Sequence, residues 1–421
     1  MDPYEAVCRH VRVGRTALTV GSRSFSLTSS SRIVVVGAGK ASGRMAQALE
    51  HQLGRRIHQG LIAVKYGHGA PTKTIRIVEA GHPVPDAAGL AAARQILALA
   101  GSLRNEDVLL VLLSGGASSL LPAPAEGISL ADKQATTKLL LRSGATIQEM
   151  NAVRKHLSCL KGGQLAAATS ARVASIILSD VIGNDLATIG SGPTAPDPTT
   201  FAQAREILER YGVWRSVPSA VRTRMQAGTG RRLADTPKPG AALFRRVTNC
   251  VIGNNEAAID AVARAARRQG LRPLVLGTTL TGEARETAKL FGAMAHEIAV
   301  RQRPERRPCC LIAGGELTVT VRGQGRGGRA QEFALAAAPE IAGLPQVWVA
   351  GFATDGTDGP TEVAGAVADG ETVSRAGRAG IAVDRALLNN DAYPLFQRLR
   401  AHIRTGPTGT NVNDLYVLLA L

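Results

Sequence analysis

Aromatic side chains are scarce, at 3% of 421 residues. A single-stranded nucleic-acid binder stacks bases on aromatic rings, and this chain has little to stack on. Its five cysteines, Cys8, Cys159, Cys250, Cys309 and Cys310, form no CxxC pair and show no zinc-site spacing. Reduced thiols in a cytoplasmic protein are the expectation. No run approaches the roughly 18 apolar residues of a membrane span, and the opening MDPYEAVCRHVRVGR has no apolar signal core. The expectation is therefore a soluble, unexported chain with no membrane partner. Acidic residues are outnumbered 33 to 50, leaving a formal charge of +17. Such an excess invites a polyanion. The arginines, however, are scattered over the polar faces of expected helices, so an anionic small molecule is favoured over nucleic acid. No internal repeat or low-complexity tract is evident.

What is present reads as α/β. The chain has 46 glycines and is 45% hydrophobic, mostly Ala, Val and Leu. Its 421 residues exceed one core and predict two domains, 1–240 and 241–421. The boundary is placed near the end of the weakly periodic, Pro- and Gly-containing stretch 211–247. The central feature is DVLLVLL, a strand buried on both faces, ending in Ser114, Gly115, Gly116, Ala117, Ser118 and Ser119. Ligands gather at the carboxyl ends of strands in open parallel sheets, and small residues allow backbone N–H groups near an anion. The loop suits phosphate oxygens; a ligand-free tight turn is the alternative.

Upstream, IVVVGAGKAS gives strand, turn and helix but misses the dinucleotide fingerprint. GxGxxG needs glycine at Ser42, and Gly43 arrives one residue late. The next strand ends in Lys65 and Tyr66, with no acid for a ribose. A nicotinamide site is disfavoured, and GAGKAS is too short for a Walker loop. Lys40 remains, a compact cation at a strand end in a chain that prefers arginine; it stabilises a phosphoryl group or is simply solvated. His82 lies in GHPVPD and suits either a ligand contact or a structural one. Arg154, Lys155 and His156 form a basic cluster for a carboxylate or phosphate, or a charged turn. Asp180 and Asp185 follow another strand, VASIILSD. Either can accept a hydroxyl proton or hold magnesium, or serve as caps. Downstream, CCLIAGGELTVTVRGQGRGG predicts a hairpin-like pair and a glycine loop before a helix near Arg329. Asp355 and Asp358 sit at a further strand end with magnesium-ligand potential.

In series, GAGKAS, GHPVPD, LLSGGASSLL, NAVRKHLSCLKGGQLA, SDVIGND with SGPTAPDPTT, GGELTVTVRGQGRGGRAQEFAL, GFATDGTDGP and TGTNVNDLYVLL resemble the bacterial and animal glycerate 2-kinases of the MOFRL type. The resemblance spans nearly the whole chain in order. It implies a Rossmann-like parallel-sheet N-terminal domain, a smaller α/β C-terminal domain, and an active site in the interdomain cleft. It further implies ATP and Mg2+ converting D-glycerate to 2-phosphoglycerate. Lys40 matches the family's catalytic lysine, Asp180 its catalytic aspartate and Arg329 its active-site arginine. The family usually has Asn where this chain has Ala330, so that side-chain contact is absent.

On this reading the serine loop cradles phosphate or glycerate oxygens, and Lys40 stabilises the transferring group. Asp180 orients or deprotonates the C2 hydroxyl, Arg154 or Arg329 grips the carboxylate, and Asp355 with Asp358 holds magnesium. The rival is an NAD(P)H-dependent hydroxypyruvate reductase, against which the broken fingerprint argues. Homodimer formation is left open.

Overall fold

The computed structural model describes residues 2–421, and it opens with the helix Pro3–His10 followed by a small antiparallel sheet. Its strands are β1 (Val11–Val13), β2 (Ala17–Val20) and β3 (Arg23–Ser26). The main sheet of the first unit follows, with β4 (Ile33–Ala38), β5 (Ile57–Lys65), β6 (Ile75–Ala80), β7 (Val108–Leu113), β8 (Arg172–Leu178) and β9 (Val247–Gly253). Their order is β6-β5-β4-β7-β8-β9, and the pairs from β6 through β8 are parallel. Every residue of β4 and β7 is buried, as expected of central strands covered on both faces. Helices Ser42–Leu53 and Ala87–Gly101 pack against this sheet.

The starts of β4 and β7 are tied by one carboxylate. Asp107, 1% exposed, accepts the Arg32 N–H at 2.8 Å, the Arg32 guanidinium at 2.7 Å and the Arg104 N–H at 2.9 Å. Burial pushes its pKa up, but these hydrogen bonds outweigh burial and hold the carboxyl below its usual range.

The ends of the same strands meet more tightly. Gly39 has φ +142°, and a Cβ there would lie 2.0 Å from Ser114 Oγ and 2.6 Å from Ser114 O. The glycines of GAG therefore serve strand-to-strand contact.

A helical layer completes the first unit. Helices Leu130–Arg142, Ile147–His156, Phe201–Arg210 and Ser219–Thr229 share a core that includes Met150, Val153, Phe201, Leu208 and Met225. Helix Ser219–Thr229 lies in the stretch where sequence periodicity was weak. Most of its residues are only partly buried, and only Val221 and Met225 are buried outright, too few apolar positions for a clear 3.6-residue pattern.

The second unit holds β10 (Arg272–Glu283), β11 (Cys309–Thr318), β12 (Val347–Ala353), β13 (Gly365–Asp369), β14 (His402–Ile403) and β15 (Asp414–Ala420). The order is β10-β11-β15-β12-β13-β14, with β10 and β11 parallel and the other pairs antiparallel. The expected hairpin at CCLIAGGELTV is instead the single strand β11, because the closing strand β15 takes the place beside it. Several of the few aromatics are concentrated in this core. Phe333 meets Phe291 and Tyr416 edge-on at 5.0 and 4.8 Å between ring centres.

The first unit runs to Ser179 and resumes at Asn184–Ile252; the second takes Asp180–Gly183 and Gly253–Leu421. The division thus falls beyond residue 240, because β9 belongs to the first sheet, and the segment containing Asp180 groups with the second unit. Among the described residues, no helix is long and apolar enough to cross a membrane, and all five cysteines are unpaired.

Gly39→Ala should cost about 3 kcal/mol or more, from the overlap with Ser114 and the disfavoured φ. Chemical denaturation of the variant checks this; wild-type stability would mean that the strand ends can spread apart.

Candidate active site at the strand ends

Two loops leave the carboxyl ends of β4 and β7 and lock together. The Lys40 N–H donates to Gly115 O at 2.9 Å, and the Ala41 N–H donates to Ser114 Oγ at 3.0 Å. Ser114 Oγ also lies 3.1 Å from Ser42 Oγ, and both serines are buried. The Ser114 hydroxyl is thus a tie between loops, which corrects its expected place in an open phosphate cradle. The Lys40 backbone is held from its other side as well, its carbonyl lying 3.1 Å from His68 Nδ1. Lys40 itself is half-buried.

His82 closes over the second loop. Gly116 has φ +90°, and a Cβ there would lie 2.9 Å from the His82 ring and 3.6 Å from Lys40 Cγ. The small residue and its left-handed backbone let Lys40, Gly116 and His82 crowd together. Burial, then the charges of Lys40 and Lys65, lower the His82 pKa to about 4. The imidazole is neutral at physiological pH, so the local cations are lysines.

Beyond Gly116 the chain makes the short helix Ala117–Leu120. Ala117 is buried, whereas Ser118 and Ser119 are partly exposed. Ser118 Oγ lies 2.8 Å from Ser191 Oγ and accepts from Lys161 Nζ at 2.9 Å.

The basic cluster on helix Ile147–His156 separates into different roles. Lys155 is buried against Asp197 at 3.3 Å, and His156 Nε2 lies 2.8 Å from Asp235 Oδ1. Arg154 instead lines a cavity together with Ser118, Ser119, Lys133 and Lys161. Lys133 and Lys161 were missed in the sequence. Lysines number only nine against 41 arginines, and the rarity that marked Lys40 applied equally to them.

In the second unit, Arg329 opens helix Arg329–Glu340. Its Nε and Nη2 donate to Asp414, and Nη1 donates to Glu316 Oε1 at 2.7 Å. Burial alone would lower the Arg329 pKa, but these carboxylates outweigh it and raise it. Burial raises Asp414 to about 6 against the pull of Arg329. Arg329 is therefore already matched by two acids.

Asp358 is a helix cap, contrary to its expected role as a metal ligand. It is 1% exposed, and its two oxygens accept the Ala330 N–H at 3.0 Å, the Gln331 N–H at 2.9 Å and Gln331 Nε2 at 2.9 Å. Asp355, half-buried, accepts from the Thr357 N–H and hydroxyl, each at 3.0 Å. Among the described residues, no group of three or more His, Cys, Asp or Glu side chains could hold a metal ion. Asp180 follows β8 in the segment that groups with the second unit.

A parallel-sheet unit with crossed strand-end loops, joined to a mixed-sheet unit, defines a two-part α/β protein. Residues 1–226 match the family described as Domain of unknown function (DUF4147), and residues 309–414 match the MOFRL family. The glycerate 2-kinase of Pyrococcus horikoshii is 41% identical over 419 residues, covering 99% of this chain and 93% of the relative. The D-glycerate 2-kinase of Thermotoga maritima is 42% identical over 390 residues, covering 92% of this chain and 90% of the relative. The crystal structure of the Thermotoga maritima glycerate kinase superposes with a TM-score of 0.87 at 40% identity, over 93% of this chain and 92% of that one. A relative from Agrobacterium vitis, provisionally named a hydroxypyruvate reductase, is 41% identical over 391 residues, covering 92% of this chain and 99% of the relative. The chain belongs to the glycerate kinase family that joins these two domains.

The His82 shift makes a stability prediction. Above pH 6.5 the ring is neutral folded and unfolded; between pH 6.5 and about 4 only the unfolded chain binds the proton, so stability falls as pH falls. The full shift corresponds to roughly 3 kcal/mol, which partial exposure reduces to about 1–2 kcal/mol. Melting temperatures measured from pH 7 to 4.5 should fall less steeply in His82→Gln; parallel curves would mean that His82 titrates normally.

Proposed function

We propose that this chain is a glycerate 2-kinase, transferring the γ-phosphoryl group of ATP to the C2 hydroxyl of D-glycerate and releasing 2-phosphoglycerate and ADP. Family membership along almost the whole chain supports the reaction. The observation that carries the site is Lys40, fixed by its backbone where the ends of β4 and β7 interlock.

Phosphoryl transfer asks for position and charge more than for covalent help. The C2 oxygen attacks the γ-phosphorus, the bond to the β–γ bridging oxygen breaks, and ADP leaves. Lys40 supplies positive charge to the transferring group. Asp180 takes the hydroxyl proton. Arg154 is a better carboxylate partner than Arg329, because its cavity has no acid in its walls while Arg329 is matched by Asp414 and Glu316. Ser118 and Ser119, partly exposed beside that cavity, are better placed for ligand oxygens than buried Ser114.

Magnesium would be brought chiefly by the triphosphate, since it keeps waters and needs only one or two protein carboxylates. Asp358 does not fit that role, being consumed as a cap. Asp355, half-buried, can offer an oxygen.

The reductase reading is weaker on structural grounds. The space a dinucleotide would need at Gly39 is filled by Ser114, and the acids near the end of β5 are already engaged, Glu79 by the Gly67 N–H at 3.1 Å and Asp86 by the Tyr66 hydroxyl at 2.8 Å.

Incubation with ATP, magnesium and D-glycerate, coupled to enolase, should produce phosphoenolpyruvate, because enolase accepts only the 2-phosphate isomer. Formation of 3-phosphoglycerate, or oxidation of NAD(P)H with hydroxypyruvate and no phosphorylation, would sink the reading. Lys40→Ala should lower turnover by about 100-fold or more with the melting temperature unchanged; near-normal turnover would remove Lys40 from the chemistry.

A further inference from the structure

The cavity beside the serine loop is unusual in its charge. It has a volume of roughly 670 Å³ and is walled by residues of the first unit alone, Arg154, Lys133, Lys138 and Lys161 among them, with no aspartate or glutamate. Lys133 and Lys161 are 6% and 1% exposed. Neither ammonium has a carboxylate partner. Lys133 Nζ donates to Pro122 O, and Lys161 Nζ donates to Ser118 O at 2.6 Å and Ser118 Oγ at 2.9 Å. Four basic groups thus share one pocket, and the two buried ammoniums among them have only neutral oxygens to receive them.

Physical chemistry disfavours that arrangement in an empty protein. A buried cation costs several kcal/mol unless an opposite charge repays the lost hydration. The strain is visible in the groups themselves. Burial first, then Arg154, lowers Lys133 to about 7, and burial with Arg154 and Lys133 lowers Lys161 well below its ordinary value. The other groups acting on Lys133 are Arg224, a further cation, and Cys159, whose thiol burial keeps protonated. Elsewhere in the same unit, buried Lys155 and His156 each have an aspartate partner. Of the buried basic side chains among the described residues, Lys133 and Lys161 are the two that lack such a partner.

We propose that this cavity is an oxyanion site, in which Lys133, Arg154 and Lys161, with the Ser118 and Ser119 hydroxyls, hold the carboxylate or phosphate end of a small ligand. The proposal rests on the kinase reading only for the ligand's identity: D-glycerate offers the carboxylate, and the nucleotide or the phosphorylated product offers the phosphate. An arriving oxyanion supplies the missing countercharge and restores both lysines to their charged form.

The test is binding to the full chain, with inorganic phosphate as the probe, by calorimetry at pH 8 in two buffers of different ionisation heat. Phosphate should bind with net proton uptake by the protein. Lys133→Met and Lys161→Met should each weaken it by about tenfold or more, and neither should lower the melting temperature of the ligand-free protein. Arg154→Gln, at a half-buried position, should also weaken binding, which keeps the test sound if either lysine variant misfolds. Undiminished phosphate affinity in all three variants would overturn the proposal. So would no binding to the wild type, or a lower ligand-free melting temperature in both lysine variants with phosphate binding intact. Parallel titrations with D-glycerate and ADP identify the source: the ligand whose affinity falls with Lys133→Met is the one seated there. Binding through these cations without any 2-phosphoglycerate formed would end the kinase reading and leave the oxyanion site standing. Ordinary kinase activity with no such binding would do the reverse.

Discussion

The contact between Gly39 and Ser114 is the constraint on which the first unit's working end depends. Parallel strands normally diverge into separate loops where their ladder stops. Here β4 loses its side chain at Gly39, so the Ser114 hydroxyl can enter the space and engage Ala41 and Ser42 on the neighbouring loop. Two consequences follow. The backbone of Lys40 is fixed between Gly115 and His68, which limits the ammonium to the reach of one side chain. The serine loop, anchored at Ser114, presents its later residues toward a cavity. A site built this way is rigid because its supports are backbone hydrogen bonds made by sheet ends, and rigidity of that kind keeps a catalytic group within a fraction of an ångström of where it works.

Charge is distributed by the same logic. In the first unit the acids are committed to particular structural ties: Asp107 to Arg32, Asp197 to Lys155, Asp235 to His156 and Lys238. In the second, Arg285 meets Glu332, and Arg329 meets Asp414 and Glu316. The basic groups of these pairs are neutralised in place. Half-buried Arg172, Arg224 and Arg246 meet backbone carbonyls instead, but Lys133 and Lys161 are buried without a carboxylate, and they share one cavity with Arg154. The chain's positive excess is therefore partly concentrated where small anions can enter, and the departure is too local to be explained as a general device for solubility.

The alternating strands and helices of the first unit were legible in the sequence because β4, β7 and β8 are almost wholly apolar and end in glycine or small polar residues. The loop after β7 was legible for the same reason. What each serine does was not, since Ser114 and Ser118 stand four residues apart in near-identical surroundings, and only the position of Gly39 decides that one is a tie. The roles of Arg154, Lys155 and His156 were also hidden. Their partners, Asp197 and Asp235, lie 42 and 79 residues from Lys155 and His156 respectively, and no local pattern connects them. Helix Ser219–Thr229 went unseen because only two of its residues are fully buried, and β11 was misread as half a hairpin because its antiparallel partner is the last strand of the chain.

Asp358 and Arg329 show why residue type at a strand end is an incomplete guide to chemistry. Asp358 accepts hydrogen bonds from the first turn of helix Arg329–Glu340, satisfying N–H groups that the helix itself leaves without partners. Because the Ala330 contact is made by its backbone, the cap does not depend on the side chain there. The same helix start brings Arg329 against Asp414, which is 1% exposed and is also held by Tyr416 at 3.1 Å. Turning Arg329 away to grip a ligand would strand that carboxylate without its countercharge, at a cost of several kcal/mol for an ion so buried. The guanidinium is better understood as the pin that joins the helix start to β11 and β15, free to act on a ligand only through the edge it leaves exposed.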